Sequence, residues 1–205
     1  MVFLFETKEL LKQQLQEVEQ WHSFLPQADF SEPTDFPVLV STQHQINFEL
    51  WHQEDMARDP DVSDSKIASV KRAIDVLNQR RNDLIERMDQ FLVNILFTGN
   101  VKNDAEAEMN SETPGSMIDR LSINALKIHH MDEEIQREEV TAEHRNKCAG
   151  KLSVLQEQRK DLEQCLSKLL ADLSSGEKRL KVYQQMKMYN DESLNPVLYR
   201  KDESK

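Results

Sequence analysis

Leu152-Ser153-Val154-Leu155-Gln156-Glu157-Gln158-Arg159-Lys160-Asp161-Leu162-Glu163-Gln164-Cys165-Leu166-Ser167-Lys168-Leu169 sets leucines three and four residues apart, and Leu173, Leu180 and Tyr183 continue the pattern. Only Arg159 and Gly176 interrupt it at seam positions. Such spacing predicts one helix from Cys148 onward, about five heptads and ~50 Å long, with a single apolar seam. The seam has two ways to be buried, an antiparallel hairpin within the chain or a coiled coil between two copies. A chain of 205 residues has neighbouring helices of its own to cover it, which favours the hairpin. Arg159 would then snorkel over a helix end. The oligomeric state, monomer or homodimer, stays open.

Upstream the same 3.6-residue period recurs. Leu10, Leu11, Leu15, Val18 and Leu25 predict a first helix over most of 6–25, and Pro26, Pro33 and Pro37 then force a connector. A second helix, near 42–58, stops at Asp59-Pro60, because proline removes a donor and biases the residue before it away from helix. The third runs from Asp64 to Phe97 and ends at Gly99. Thr113-Pro114 supplies an N-cap with proline at the first helical position and starts the fourth, which fades near Glu139. The expected fold is all-α, a multi-helix bundle whose long C-terminal heptad-patterned helix packs as an antiparallel hairpin. Residues 1–190 form one domain and 191–205 a partly ordered tail.

Composition narrows the function classes. A net charge of -11, with basic residues scattered among acids, opposes a phosphate backbone, so no nucleic-acid partner is expected. Cys148 and Cys165 lack CxxC or Cys/His zinc spacing and lie seventeen residues apart, ~25 Å along one helix, too far to pair within it. The apolar opening Met1-Val2-Phe3-Leu4-Phe5 is short and lacks a basic start, and no later apolar run approaches ~18 residues. A reduced, cytoplasmic setting without membrane insertion is expected.

Chemistry is concentrated in two neighbouring helical stretches, Trp51-His52-Gln53-Glu54-Asp55-Met56-Ala57-Arg58 and Lys71 through Asp83. On a helical wheel Asn47, Trp51, Glu54 and Arg58 fall on the shoulder of the stripe formed by Ile46, Leu50 and Ala57. On the third helix Lys71, Asp75, Asn78, Asn82 and Asp89 form one ridge beside Ile74, Leu77, Leu84, Ile85, Met88, Leu92 and Ile95. Two such shoulders can face each other. They are either a self-satisfied network of salt bridges that fixes helix register, or a pocket. In a pocket, Arg58, Lys71 and Arg81 hold an anion, and Glu54, Asp55 and Asp75 bind a divalent ion such as Mg or Mn or act as acid and base. Asn78 and Asn82 orient the ligand there.

Thr113-Pro114-Gly115-Ser116 is a third polar patch, either an ordinary capped helix start or an anion seat. Further along, Asp119, Ile123, Leu126 and His130 share one face, while Met117, Leu121, Ile128 and Ile135 share the other. A helix apolar on two sides belongs in the centre of a bundle, and His130 is there an interior histidine or a site residue. Glu19-x-x-His22 and Glu49-x-x-His52 have the spacing of di-iron bundles. Two matches are unremarkable at this His and Glu content. Neither HExxH, P-loop, GxSxG nor the Rossmann glycine pattern occurs.

Trp51-His-x-Glu54-Asp55-x-Ala-Arg58, Lys71-Arg-x-Ile-Asp75-x-x-Asn78-x-x-Arg81-Asn82-Asp83, Pro114-Gly115-x-x-Ile-Asp119-Arg120-Leu-Ser-Ile and Leu126-Lys127-Ile-x-His130-Met131 together resemble a bacterial, all-helical family, the "domain of unknown function 4254" group. Met188-Tyr189-Asn190-Asp191-x-x-Leu194-Asn195-Pro196-x-Leu198-Tyr199 is similar to it as well. The resemblance covers nearly all of the chain after about residue 44 and implies a polar site holding Trp51, Asp119, Arg120 and His130 beside the groups above. It carries no established activity. A more distant similarity, to the all-α nucleotide pyrophosphohydrolases, rests on carboxylates on adjacent helices. This chain offers Glu54-Asp55 and Asp75-x-x-Asn78 where those enzymes pair ExxE with ExxD. The expected function is binding of a small anionic ligand, nucleotide- or sugar-phosphate-like, at an inter-helical site. The rival is a non-catalytic helical interaction module that acts through the heptad seam.

Overall fold

The computed structural model describes residues 5–26, 35–101, 104–186, 188 and 193–199. Its long elements are helices α1 (Thr7–Ser23), α2 (Phe36–Arg58), α3 (Asp64–Thr98), α4 (Pro114–Gln136) and α5 (Ala142–Ser175), followed by a single turn, α6 (Pro196–Tyr199). Two-residue strands β1 (Glu108–Met109) and β2 (Lys178–Arg179) pair in parallel. The fold is all-α, as expected. No helix among the described residues is long and apolar enough to cross a membrane.

Side-chain caps begin four of these helices: Asp35, Ser63, Thr113 and Thr141 each accept from the backbone N–H three residues on. The Asp35 cap corrects the expected start of α2, which lies at Phe36 and not near 42. Pro37 sits in the first turn, where its missing N–H has no intrahelical partner to lose, so it helps to start the helix instead of excluding it. At the other end of the chain, α5 stops at Ser175. Gly176 adopts φ 79°, a left-handed conformation suited to glycine, and its N–H bonds the Leu173 carbonyl. Gly176 is therefore a helix stop and not a seam position. Leu180 packs on the core beyond it, and Tyr183 is exposed.

α2 with α3 and α4 with α5 are the most extensive pairs, and α1 packs on α4, α2 and α5. The α4–α5 partners run in opposite order: His144 bonds Glu134 next to the connector, Asn124 bonds the Leu155 carbonyl, and Arg159 bonds the Leu121 carbonyl. The seam leucines Leu162, Leu166, Leu169 and Leu173 are buried in the same core as Leu10, Leu39, Ile74, Met88 and Leu121. That part of the seam on which the interaction-module alternative depends is thus used inside the chain, whereas Leu152 and Leu155 are half-buried. Cys148 and Cys165 are free thiols on the single helix α5.

Arg159 does not snorkel. It is 7% exposed and donates to the carbonyls of Leu121 (2.8 Å) and Leu11 (2.5 Å) and to Gln14 Oε1 (3.4 Å). It ties α1, α4 and α5 together at one point, and burial lowers its pKa to about 10.

Candidate functional site

α4 is the central helix, as its two apolar faces imply, and it crosses α3 at Gly115. A Cβ at that position would meet Ile85 O at 2.7 Å and Asp89 Oδ1 at 2.8 Å, so only glycine allows this approach. The Gly115 N–H donates to Asp89 Oδ1 at 2.7 Å. The proposed anion seat at Thr113–Ser116 therefore holds the protein's own carboxylate. Asp89 is buried, and burial raises its pKa against the lowering effect of Thr113 and Gly115.

One turn further along α4, Asp119 collects donors from both neighbouring helices. Gln43 Nε2 (2.6 Å), Asn47 Nδ2 (2.9 Å) and Arg81 Nε (2.8 Å) donate to Oδ1, and Arg81 Nη2 donates to Oδ2 (2.5 Å). The Asp119 bonds, above all the side-chain bond to Arg81, raise the guanidinium's pKa further. The network continues inward. Asn47 donates to Ser122 Oγ at 2.8 Å, and Ser122 Oγ lies 2.6 Å from His44 Nδ1. His44 Nε2 lies 2.9 Å from the Gln14 carbonyl. A carbonyl only accepts, so Nε2 carries the proton and Nδ1 accepts from the serine hydroxyl. His44 is fully buried, and burial pushes its pKa down to about 3, so the imidazole is neutral. Ser122 and His44 have the reach of a nucleophile and base but no solvent access, so they serve as architecture.

Above this floor lies a cleft of about 380 Å³ between α2, α3 and α4, lined by Asn47, Leu50, Trp51, Glu54, Asp55, Arg58, Asn78, Arg81, Ile123 and Leu126. The two shoulders expected to face each other do so here. Six of the sequence-derived site residues, Trp51, Glu54, Asp55 and Arg58 on α2 and Asn78 and Arg81 on α3, line this one cleft, with Asp119 beneath it. Glu54 pairs with Arg58 at 3.0 Å on the open rim, where both side chains are well exposed.

The remaining candidates lie elsewhere. Lys71 and Asp75 pair with each other on the exposed side of α3, so Asp75 does not join Glu54 and Asp55. Asn82 is half-buried on α3 and does not line the cleft. Arg120 points to the outer flank, where Nη1 holds both oxygens of Glu112 at 2.8 and 2.7 Å. His130 stacks on Trp51 with ring centres 4.6 Å apart and planes 11° apart, supporting the cleft's aromatic wall from outside it. Among the described residues no group of three His, Cys, Asp or Glu is set to hold a metal ion. The trio Glu54, Asp55 and Asp75 is thereby reduced to the adjacent pair on α2.

The motif-based reading missed Gln43, His44 and Ser122. Gln43 was legible: it lies on the helical wheel between Leu50 and Asn47, inside the buried stripe, where an amide has to find a partner. Ser122 carried no such signal.

No curated protein and no solved structure matches the chain. A family model described as "Protein of unknown function (DUF4254)" matches residues 38–182, a span that holds all but the first two residues of α2, all of α3 to α5 and every wall of the cleft, and the chain belongs to that family.

Proposed function

We propose that the α2–α3–α4 cleft binds a small anionic ligand of the nucleotide or sugar-phosphate class, with a divalent ion such as Mg or Mn between the ligand's phosphates and the Glu54–Asp55 pair. The observation that carries this is the convergence of Trp51, Asn78, Arg58, Arg81, Glu54 and Asp55 on one cleft of about 380 Å³. An aromatic face offers a platform for a base or sugar ring, amides offer hydrogen-bond direction, and guanidiniums offer phosphate contacts.

The charges favour a ligand that arrives with its metal. Glu54, Asp55 and Asp119 face Arg58 and Arg81, and Arg81 is already engaged by Asp119. A bare anion would have to compete with Glu54 for Arg58. A magnesium ion that takes one or two carboxylates plus phosphate oxygens, its usual manner of binding, draws Glu54 away and frees Arg58. Arg58 is then the mobile phosphate contact, Arg81 the fixed one, and Glu54 and Asp55 the metal ligands or the acid and base of any reaction.

A thermal-shift screen of nucleoside phosphates and sugar nucleotides, with and without Mg or Mn, tests this. A ligand at ~100 times its Kd adds about 2.7 kcal/mol, or roughly 5 to 11 °C at this chain length. The shift should require the metal and vanish in Glu54→Gln. A screen in which nothing moves the transition would end the proposal.

A further inference from the structure

Beside the cleft, behind Trp51, three helices bring four histidines together: His22 from α1, His52 from α2, and His129 and His130 from α4. Ring centres of His22 lie 4.9 Å from His130 and 5.3 Å from His52, and those of His52 and His130 lie 6.1 Å apart. Two imidazoles on one tetrahedral ion, each with a metal–nitrogen bond of about 2 Å, have ring centres roughly 5 Å apart. His129 is stacked on His22 at 4.1 Å, too close to share an ion in that pose.

The hydrogen bonds select the nitrogens. His22 Nδ1 lies 2.7 Å from the Val18 carbonyl, and His130 Nδ1 lies 2.7 Å from Glu133 Oε2. Both partners are acceptors, so Nδ1 bears the proton in each ring and Nε2 keeps its lone pair. Those two Nε2 atoms are buried and have no hydrogen-bond partner. A histidine whose other nitrogen donates to a carbonyl or carboxylate is the usual arrangement around a bound metal, because the tautomer is then fixed and the ligand more basic. Leaving two such lone pairs buried and unpaired is otherwise costly.

We propose that His22, His52 and His130 bind one transition-metal dication of the zinc class through their free ring nitrogens. Glu133 orients His130, and the fourth coordination position is open to water. As the side chains stand the three rings do not converge on one point, so binding requires them to reorient about χ2, a soft torsion for histidine, by an amount small enough to keep the Nδ1 hydrogen bonds of His22 and His130. A groove of about 580 Å³ beside the cluster has Glu19, His129, Asp132 and Glu133 among its lining residues. The Glu-x-x-His spacings around His22 and His52 thus place their histidines in one cluster, whereas Glu49 is turned to Gln45.

The test uses the full, metal-stripped chain titrated with Zn²⁺ by calorimetry and with Co²⁺ by visible absorption. The expected result is one ion per chain, a raised Tm, and a tetrahedral cobalt spectrum without thiolate charge transfer. His22→Gln and His52→Gln, both at half-buried positions, should each weaken binding at least tenfold while the apo circular dichroism is unchanged. His144 lies 3.4 Å from Cys148 and 3.0 Å from Glu134, so these side chains serve as the control for adventitious binding. Cys148→Ser and His144→Gln should leave binding intact. Absent binding, or binding lost in Cys148→Ser or His144→Gln but kept in His52→Gln, would overturn the proposal.

Discussion

Replacing Asp119 by Asn probes the joint on which the cleft is built. Its carboxylate receives four hydrogen bonds from α2 and α3, and only 7% of its side chain is exposed. An Asn there keeps the size but has one acceptor oxygen where the network needs two, and its NH₂ must face a donor. It also leaves the Arg81 guanidinium without its counter-charge. Breaking a fully buried pair costs about 3 to 5 kcal/mol. Arg81 keeps 27% of its side chain in solvent, which screens the orphaned charge, so we expect about 2 to 4 kcal/mol. At ~2 to 4 °C per kcal/mol for this length, Tm should fall by roughly 4 to 16 °C. Urea unfolding of Asp119→Asn, Arg81→Met and the double variant closes the cycle. The double variant should be less destabilised than the sum by at least ~1 kcal/mol, because no charge is then left unpaired. A Tm loss under about 2 °C, or additivity within ~0.5 kcal/mol, would refute the reasoning.

Three further outcomes follow from the same contacts. Asp75→Asn should change Tm by less than about 4 °C and leave any ligand shift intact, since its exposed pair with Lys71 is worth ~0 to 1 kcal/mol. Gly115→Ala should cost about 1 to 3 kcal/mol in urea, because its Cβ has no room against Ile85 O and Asp89, whereas Gly150→Ala, open on every side, should gain ~0.5 to 1 kcal/mol. Stability should fall with acid below pH ~6.5, the unfolded value for histidine, because His44 binds its proton only near pH 3 when folded. The unfolded chain takes up the proton first, which adds a slope of up to ~1.4 kcal/mol per pH unit through that window. His44→Gln should flatten the urea midpoint against pH between 7 and 5, and an unaltered slope would show that His44 is not the buried neutral group.

Periodicity identified α1, α3 and α5, and the Thr113-Pro114 cap signal added the start of α4, because each helix buries a stripe that repeats every three or four residues. Gly176 and Pro37 show where the reading failed: Gly176 falls at a seam position by spacing yet ends the helix, and Pro37 reads as a connector yet sits in the first turn of α2, because local backbone chemistry decides both. The polar ridge of α3 shows a second limit. Lys71, Asp75, Asn78, Asn82 and Asp89 do share one helical face. Yet Asp89 is buried under α4, Asn78 lines the cleft, and Lys71 and Asp75 lie in solvent. A helical wheel gives the angle of a side chain, whereas its burial depends on how far along the axis the neighbouring helix reaches. The four histidines were out of reach for a related reason, since which turns of three helices meet is a property of crossing geometry.

The binding site itself is most directly tested through Trp51. With Trp21→Phe, Trp51 is the only indole in the chain and walls the cleft. Its emission, titrated with nucleoside phosphates and sugar nucleotides in the presence of Mg, should be quenched saturably by at least one class. The quench should weaken at least tenfold in Arg58→Ala and disappear without the metal. Emission that no member of the panel alters, or a quench indifferent to Arg58, would contradict the assignment of this cleft as a ligand site.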